Sequence, residues 1–105
     1  MSLRMIAQAK AEVRSAANWY EREREGLGDD FVADIKVALD AIERSPEIYP
    51  RIETTRTKRN VRRYLMRRFP YTLVYELRQD EIIVVAVSHA RRRPNYWLRR
   101  RTDEG

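Results

Sequence analysis

Near residue 60 the spacing of apolar residues changes from steps of three and four to steps of two. That switch restricts the fold more than any other feature of the chain. Ile6, Ala9, Val13, Ala16, Ala17 and Tyr20 draw one apolar stripe down a helix of residues 7–24. Gly26 and Gly28 end that helix with a flexible turn. Asp29 or Asp30 then offers a carboxylate to cap a second helix, whose stripe is Phe31, Ile35, Ala38, Leu39 and Ile42. Ser45-Pro46 stops it, because a residue before proline is pushed out of helical backbone angles. So short a connection makes residues 7–45 an antiparallel helix hairpin.

Residues 46–60, with Pro46, Pro50 and the polar run from Glu53 to Asn60, read as an exposed, mobile loop. Strand periodicity follows. Over residues 61–68, Tyr64 and Met66 fall on the face expected to meet the helices, and Arg63, Leu65 and Arg67 on the other. Phe69-Pro70 makes a corner. Residues 71–78 place Tyr71, Leu73, Tyr75 and Leu77 inward and Thr72, Val74 and Glu76 outward. The run from Ile82 to Ser88 is apolar on both faces, as expected of a central strand. Leu3–Ile6 is too short to assign, and the two chain ends carry no functional weight.

The expected architecture is α+β: the helix hairpin on one face of a small, mostly antiparallel sheet over residues 61–89, then a short terminal helix at 94–101. A chain of 105 residues supplies one such domain, residues 1–105, and little else.

Composition excludes several kinds of chemistry. There is no cysteine, hence no disulfide, thiolate metal site or cysteine nucleophile, and one histidine cannot build a multi-histidine metal centre. No Gly-rich phosphate loop or helical histidine pair is present, so neither a metal nor a cofactor is expected. No apolar run approaches the ~18 residues of a membrane span, and a cytoplasmic setting without a membrane partner is expected. Ser88 and His89, adjacent on a strand, point to opposite faces and form no nucleophile–base pair. Glu12, Glu21, Glu23 and Glu25 read as a solvated helix face.

Charge is divided between the halves. Residues 1–50 carry 7 basic and 10 acidic side chains, net −3; residues 51–105 carry 15 basic and 6 acidic, net +9. All the basic residues of the second half except Lys58 are arginine, which suits forked contacts to phosphate or carboxylate. Two stretches concentrate them. In RRFPYTLVYE, residues 67–76, Arg63 and Arg67 are expected to stand near Thr72 and Glu76, as a surface ion pair or as a cradle for phosphate or an acidic peptide. In HARRRPNYWLRR, residues 89–100, His89 is followed by Arg91, Arg92 and Arg93, then Tyr96 and Trp97. Arginine interleaved with aromatics binds phosphates or protein partners, while Trp97 is expected in the core.

With these segments assembled, the chain resembles the RelE/ParE toxin superfamily of bacterial type II toxin–antitoxin systems. NWYE (18–21), ERSPEIYP (43–50), RRFPYTLVYE (67–76) and HARRRPNYW (89–97) carry the resemblance, which looks closest to the ParE, or plasmid stabilisation, branch. It implies a toxin neutralised by a cognate ParD-like antitoxin whose disordered segment folds on binding, as a homodimer or a toxin–antitoxin heterotetramer. The ParE branch inhibits DNA gyrase by binding, with no catalytic residue expected. The RelE branch cleaves mRNA on the ribosome. Where that branch has an arginine this chain has Thr72; where it has lysines this chain has Arg63 and Leu65; its tyrosine falls near Leu98, two residues from Tyr96. Arg92 matches a basic position. A nuclease would rest on His89, Arg92, Tyr96 and Arg67. For either target, the binding surface implied is Arg63, Arg67, Arg68, His89, Arg91, Arg92, Arg93 and Tyr96. A non-toxic RNA-binding domain is a third reading.

Overall fold

The computed structural model describes residues 1–54 and 58–103. Six elements run in the order β1 (Ser2–Met5), α1 (Ala7–Glu23), α2 (Leu27–Arg44), β2 (Val61–Leu65), β3 (Tyr71–Leu77) and β4 (Glu81–His89). The four strands form one sheet in the order β1-β4-β3-β2. β2–β3 and β3–β4 are antiparallel, while β1 lies parallel to β4 with Leu3 opposite Ile82 and Met5 opposite Val84. The fold is therefore α+β with a mixed sheet, and the chain's first residues belong to it.

The helix hairpin closes through its turn. Gly26, the residue before α2, has φ 88°, a left-handed conformation open to glycine at little cost. A Cβ on Gly28 would lie 2.6 Å from the Ala17 carbonyl oxygen, so the helices cross there at backbone contact. The N-terminus of α2 is capped from α1: the Gly26 and Gly28 amides donate to the two Glu21 carboxylate oxygens at 2.9 and 3.0 Å. Asp29 and Asp30 occupy the first turn, where their charge suits the dipole, but neither is the cap. α2 ends at Arg44, just before Ser45-Pro46.

Phe31, Ile35, Ala38 and Ile42 bury the α2 stripe in the core with Leu73, Tyr75 and the apolar run of β4. Tyr20, Phe31, Phe69 and Tyr71 form an aromatic cluster with centroid separations near 5 Å, edge-on except for the tilted Tyr20–Phe31 pair. Each such pair adds about 0.5–1.5 kcal/mol beyond its buried area.

Four expectations are corrected. Strand β2 stops at Leu65, because residues 67–70 bend round the Phe69-Pro70 corner. Residues 46–52 are held along the sheet, not loose: Tyr75 Oη donates to the Pro46 carbonyl at 2.7 Å, Arg62 Nη1 donates to the Glu47 and Tyr49 carbonyls, and Arg51 bridges Arg62. Thr55, Arg56 and Thr57 of the expected polar loop lie outside the described residues. Residues 94–101 form successive turns, with Leu98 N–H donating to Asn95 and Arg100 N–H to Trp97, and not a helix. Asn95 in left-handed conformation (φ 62°) breaks helical continuity there. Finally, the outward face of β3 is not solvated. Trp97 and Thr102 of the terminal segment are buried with it, and Val74 and Glu76 are enclosed.

Candidate functional site

At one end of the sheet the two arginine-rich stretches meet. Tyr71 and His89 are register partners on β3 and β4, and the Ala90 amide donates to the Pro70 carbonyl at 2.8 Å. The corner before β3 and the turn after β4 are thereby joined. Against them α1 leaves a cleft of about 350 Å³ lined by Glu12, Ser15, Trp19, Tyr20, Tyr71, His89 and Arg92, among others. Its walls are aromatic and its rim is cationic. Trp19 is 51% exposed, which is unusual for a residue of that size.

Glu12 is the structural centre of the cleft floor. It falls three residues after Ala9 and four before Ala16, so it lies on the buried flank of α1 and not on a solvated face. Oε1 accepts the Val87 amide at 2.9 Å and Arg100 Nη1 at 2.9 Å; Oε2 accepts the Tyr96 hydroxyl at 2.5 Å and Arg100 Nη2 at 3.0 Å. Arg92 approaches Oε2 to 3.9 Å. Arg100 also donates to the Val85 carbonyl at 2.9 Å. Val85 is the extra residue of a bulge, since Val74 pairs with Ala86 and Tyr75 with Val84. The Glu12–Arg100 pair therefore satisfies β4 backbone groups beyond the point where β1 ends.

Two groups with potential acid–base chemistry are both engaged. Tyr96 Oη is tied to Glu12, and its phenol is pushed up to about 12 by burial first and by the Glu12 carboxylate second. The Arg92 guanidinium lies 3.8 Å from the Tyr96 ring centroid and that of Arg100 4.9 Å. Tyr96 is thus a held proton donor. His89 stacks edge-on upon Tyr71, centroids 5.0 Å apart, and its Nδ1 accepts the Arg91 amide at 3.0 Å. An amide can only donate, so the Nδ1 lone pair of His89 is taken up by that contact. Burial raises the Tyr71 phenol, with Tyr20 and Glu12 adding to the shift.

The remaining expected residues separate. Arg67 and Arg68 line a second recess with Asp34, Val37, Tyr64 and Met66. Arg68 pairs with Asp34 at 2.8 Å. Arg63 is opposite Val74, and Leu65 is opposite Thr72. The expected Arg63/Arg67–Glu76 cradle does not form, because Glu76 faces Val61 in register and is taken by Arg59 at 3.5 Å and Arg78 at 3.1 Å. Arg91 and Arg93 are exposed in the turn after β4. The structure therefore brings His89, Arg92 and Tyr96 together and leaves Arg67 elsewhere. Glu12, Trp19 and Arg100 are the site residues that sequence reasoning missed; for Glu12 the signal was its phase with the alanine stripe.

A family model described as "ParE toxin of type II toxin-antitoxin system, parDE" matches residues 3–94. Among solved structures, a chain of "Chromosomal ParDE TA system from P. aeruginosa" superposes with TM-score 0.62 at 15% identity, covering 85% of this chain and 95% of that one. No curated protein matches. The family match ends at residue 94, so Tyr96, Trp97 and Arg100 lie beyond it.

Proposed function

The chain belongs to the ParE toxin family of type II toxin–antitoxin systems, and on that premise we propose that it poisons its target by binding and not by catalysis. The target in this reading is DNA gyrase. The cleft between α1 and the β3–β4 end contributes the binding surface, and a cognate ParD-like antitoxin neutralises the toxin by covering it. One observation carries the preference for binding over RNA cleavage. The two side chains available as a base, Tyr96 and His89, have the relevant positions committed to Glu12 and to the Arg91 amide. Of the arginines that could hold phosphate in the nuclease reading, Arg67 lines a different recess from the cleft holding His89 and Arg92, which leaves that cleft one contact short. Removing one transition-state contact of that kind costs orders of magnitude in rate.

A cytoplasmic site of action goes with that target. Among the described residues no helix is long and apolar enough to cross a membrane. Aromatic walls with arginine at the rim are the composition of protein-binding hot spots, which supports a folded protein target and an amphipathic antitoxin segment. The deciding experiment is induced expression with two readouts. Gyrase-dependent DNA breaks that disappear on antitoxin co-expression are expected. Codon-phased mRNA cleavage on translating ribosomes without gyrase-dependent breaks would overturn the reading in favour of the nuclease.

A further inference from the structure

Most arginines with a resolved ion pair have found a carboxylate inside the fold: Arg4 with Glu81, Arg59 and Arg78 with Glu76, Arg68 with Asp34, Arg100 with Glu12, Arg101 with Asp103. Arg93 and Arg99 are among the arginines that have not, and they differ from the others in sharing one recess. Both are exposed, neither meets a carboxylate among the described residues, and the terminal turns bring them to one recess of about 500 Å³. Pro94, Asn95, Tyr96 and Leu98 complete its lining, which is mostly polar and contains no acidic residue. The nearby carboxylates are committed: Glu12 holds Arg100 and Tyr96, and Asp103 holds Arg101.

We propose that this recess is an anion site that takes a phosphodiester group of a nucleic-acid backbone. Two guanidinium forks on one short segment match the tetrahedral oxygens of a phosphate. Their position is fixed from beneath, because the residues between them are anchored: Trp97 is 3% exposed, and Tyr96 is bonded to Glu12. An acidic peptide that folds on binding needs apolar surface to bury. The aromatic cleft at Trp19 offers it, and this recess offers mainly charge. The two sites thus divide by chemistry, with protein at the cleft and phosphate at the terminal turns. Four of the six residues lining the recess, Arg99 among them, lie beyond the family match, and Arg93 and Pro94 are its last two residues. Its role is independent of whether gyrase is the target.

The test is fluorescence anisotropy of the purified chain with a random-sequence DNA duplex and, in parallel, a single-stranded RNA of equal charge. Salt is varied between 50 and 200 mM. Arg93→Gln/Arg99→Gln is expected to weaken binding at least tenfold and to reduce the salt-dependence slope by about one, for the single phosphate the pair holds. Lys10→Gln/Lys36→Gln, which removes two exposed charges from the helices, is expected to change neither by as much. Which nucleic acid binds more tightly identifies the natural source of the phosphate. Absence of binding to both, equal losses in the two double variants, or equally effective competition by polyglutamate would overturn the proposal. These outcomes are read without antitoxin or gyrase, so they leave the proposed target untouched.

Discussion

Arg100 and Glu12 meet through two parallel contacts, Nη1 to Oε1 at 2.9 Å and Nη2 to Oε2 at 3.0 Å, joining the terminal turns to the first helix across 88 residues of sequence. Their side chains are only 16% and 15% exposed. Removing one partner leaves the other as an uncompensated charge, together with the Val87 amide and the Tyr96 hydroxyl. Glu12→Ala is therefore expected to destabilise the fold by about 3 kcal/mol or more. Glu12→Gln, which keeps an acceptor, should cost less. Urea denaturation at neutral pH measures both, and a double-mutant cycle with Arg100→Ala isolates the pair.

The two tyrosines held highest, Tyr75 and Tyr96, are each pushed up to about 12, chiefly by burial. Their folded-state pKa exceeds the unfolded value near 10, so both states are neutral below pH ~10 and stability there does not depend on them. Between about pH 10 and 12 the unfolded chain ionises while the folded chain resists, and stability falls as pH rises. Phenolate absorbance should accordingly show two of the six tyrosines titrating last. Tyr75→Phe and Tyr96→Phe should each remove part of the alkaline loss. A single transition for all six would contradict this.

The helix turn tolerates no side chain at two places, for different reasons. Gly28→Ala forces a Cβ against the Ala17 carbonyl and should cost about 1–3 kcal/mol by overpacking. Gly26→Ala has open space around the new methyl but must keep φ 88°, which costs about 1–2 kcal/mol. Thermal melts distinguish them from Val37→Ala, an exposed control on α2 expected to be near neutral.

Trp97 is buried in the core from the terminal turns. Trp97→Ala is expected to destabilise by about 3–5 kcal/mol, as for other buried aromatics. Truncation after residue 94 should be worse, since it also removes Arg100. Amide exchange should then rise in β4 at Val87, whose N–H loses its order when Glu12 loses Arg100.

Trp19 separates binding from stability. It is half exposed and touches Tyr20 edge-on, centroids 5.1 Å apart. Trp19→Ala should leave the melting temperature nearly unchanged. If the cleft is the protein-binding surface, the same change weakens antitoxin binding by at least tenfold in calorimetric titration. An unaltered affinity would place the antitoxin elsewhere.

The periodicity switch near residue 60 was enough to read the helix pair and the central position of β4, and the proline at 46 gave the stop of the second helix. These follow from local spacing and from turn chemistry. Features made by distant residues were not legible. Glu21 caps a helix other than its own, and nothing local marks that job. Val74 and Glu76 alternate as outward residues and do face away from the helices; they are buried because the terminal turns return over them. Pairing of Arg59 and Arg78 with Glu76 depends on that same cover, which is why the Arg63/Arg67 cradle looked plausible on the strand pattern alone. Of the cleft, His89, Arg92 and Tyr96 were recognisable by type. Glu12 and Arg100 were not, since a buried ion pair shows no pattern until both partners are placed.

The parallel pairing of β1 with β4 sets an order of events during synthesis. Ser2–Met5 is made before the other strands, yet its partner Glu81–Val84 is made more than seventy residues later, and Arg4 must still wait for the Thr102 carbonyl. The helix hairpin, whose contacts are local, is able to form as the chain emerges; the sheet, with its long-range pairs, is not. The cleft needs α1, β3, β4 and the terminal turns at once. A nascent chain whose terminal turns have not yet emerged therefore carries a helix pair without the cleft, and the cleft closes only when those turns are free to fold back.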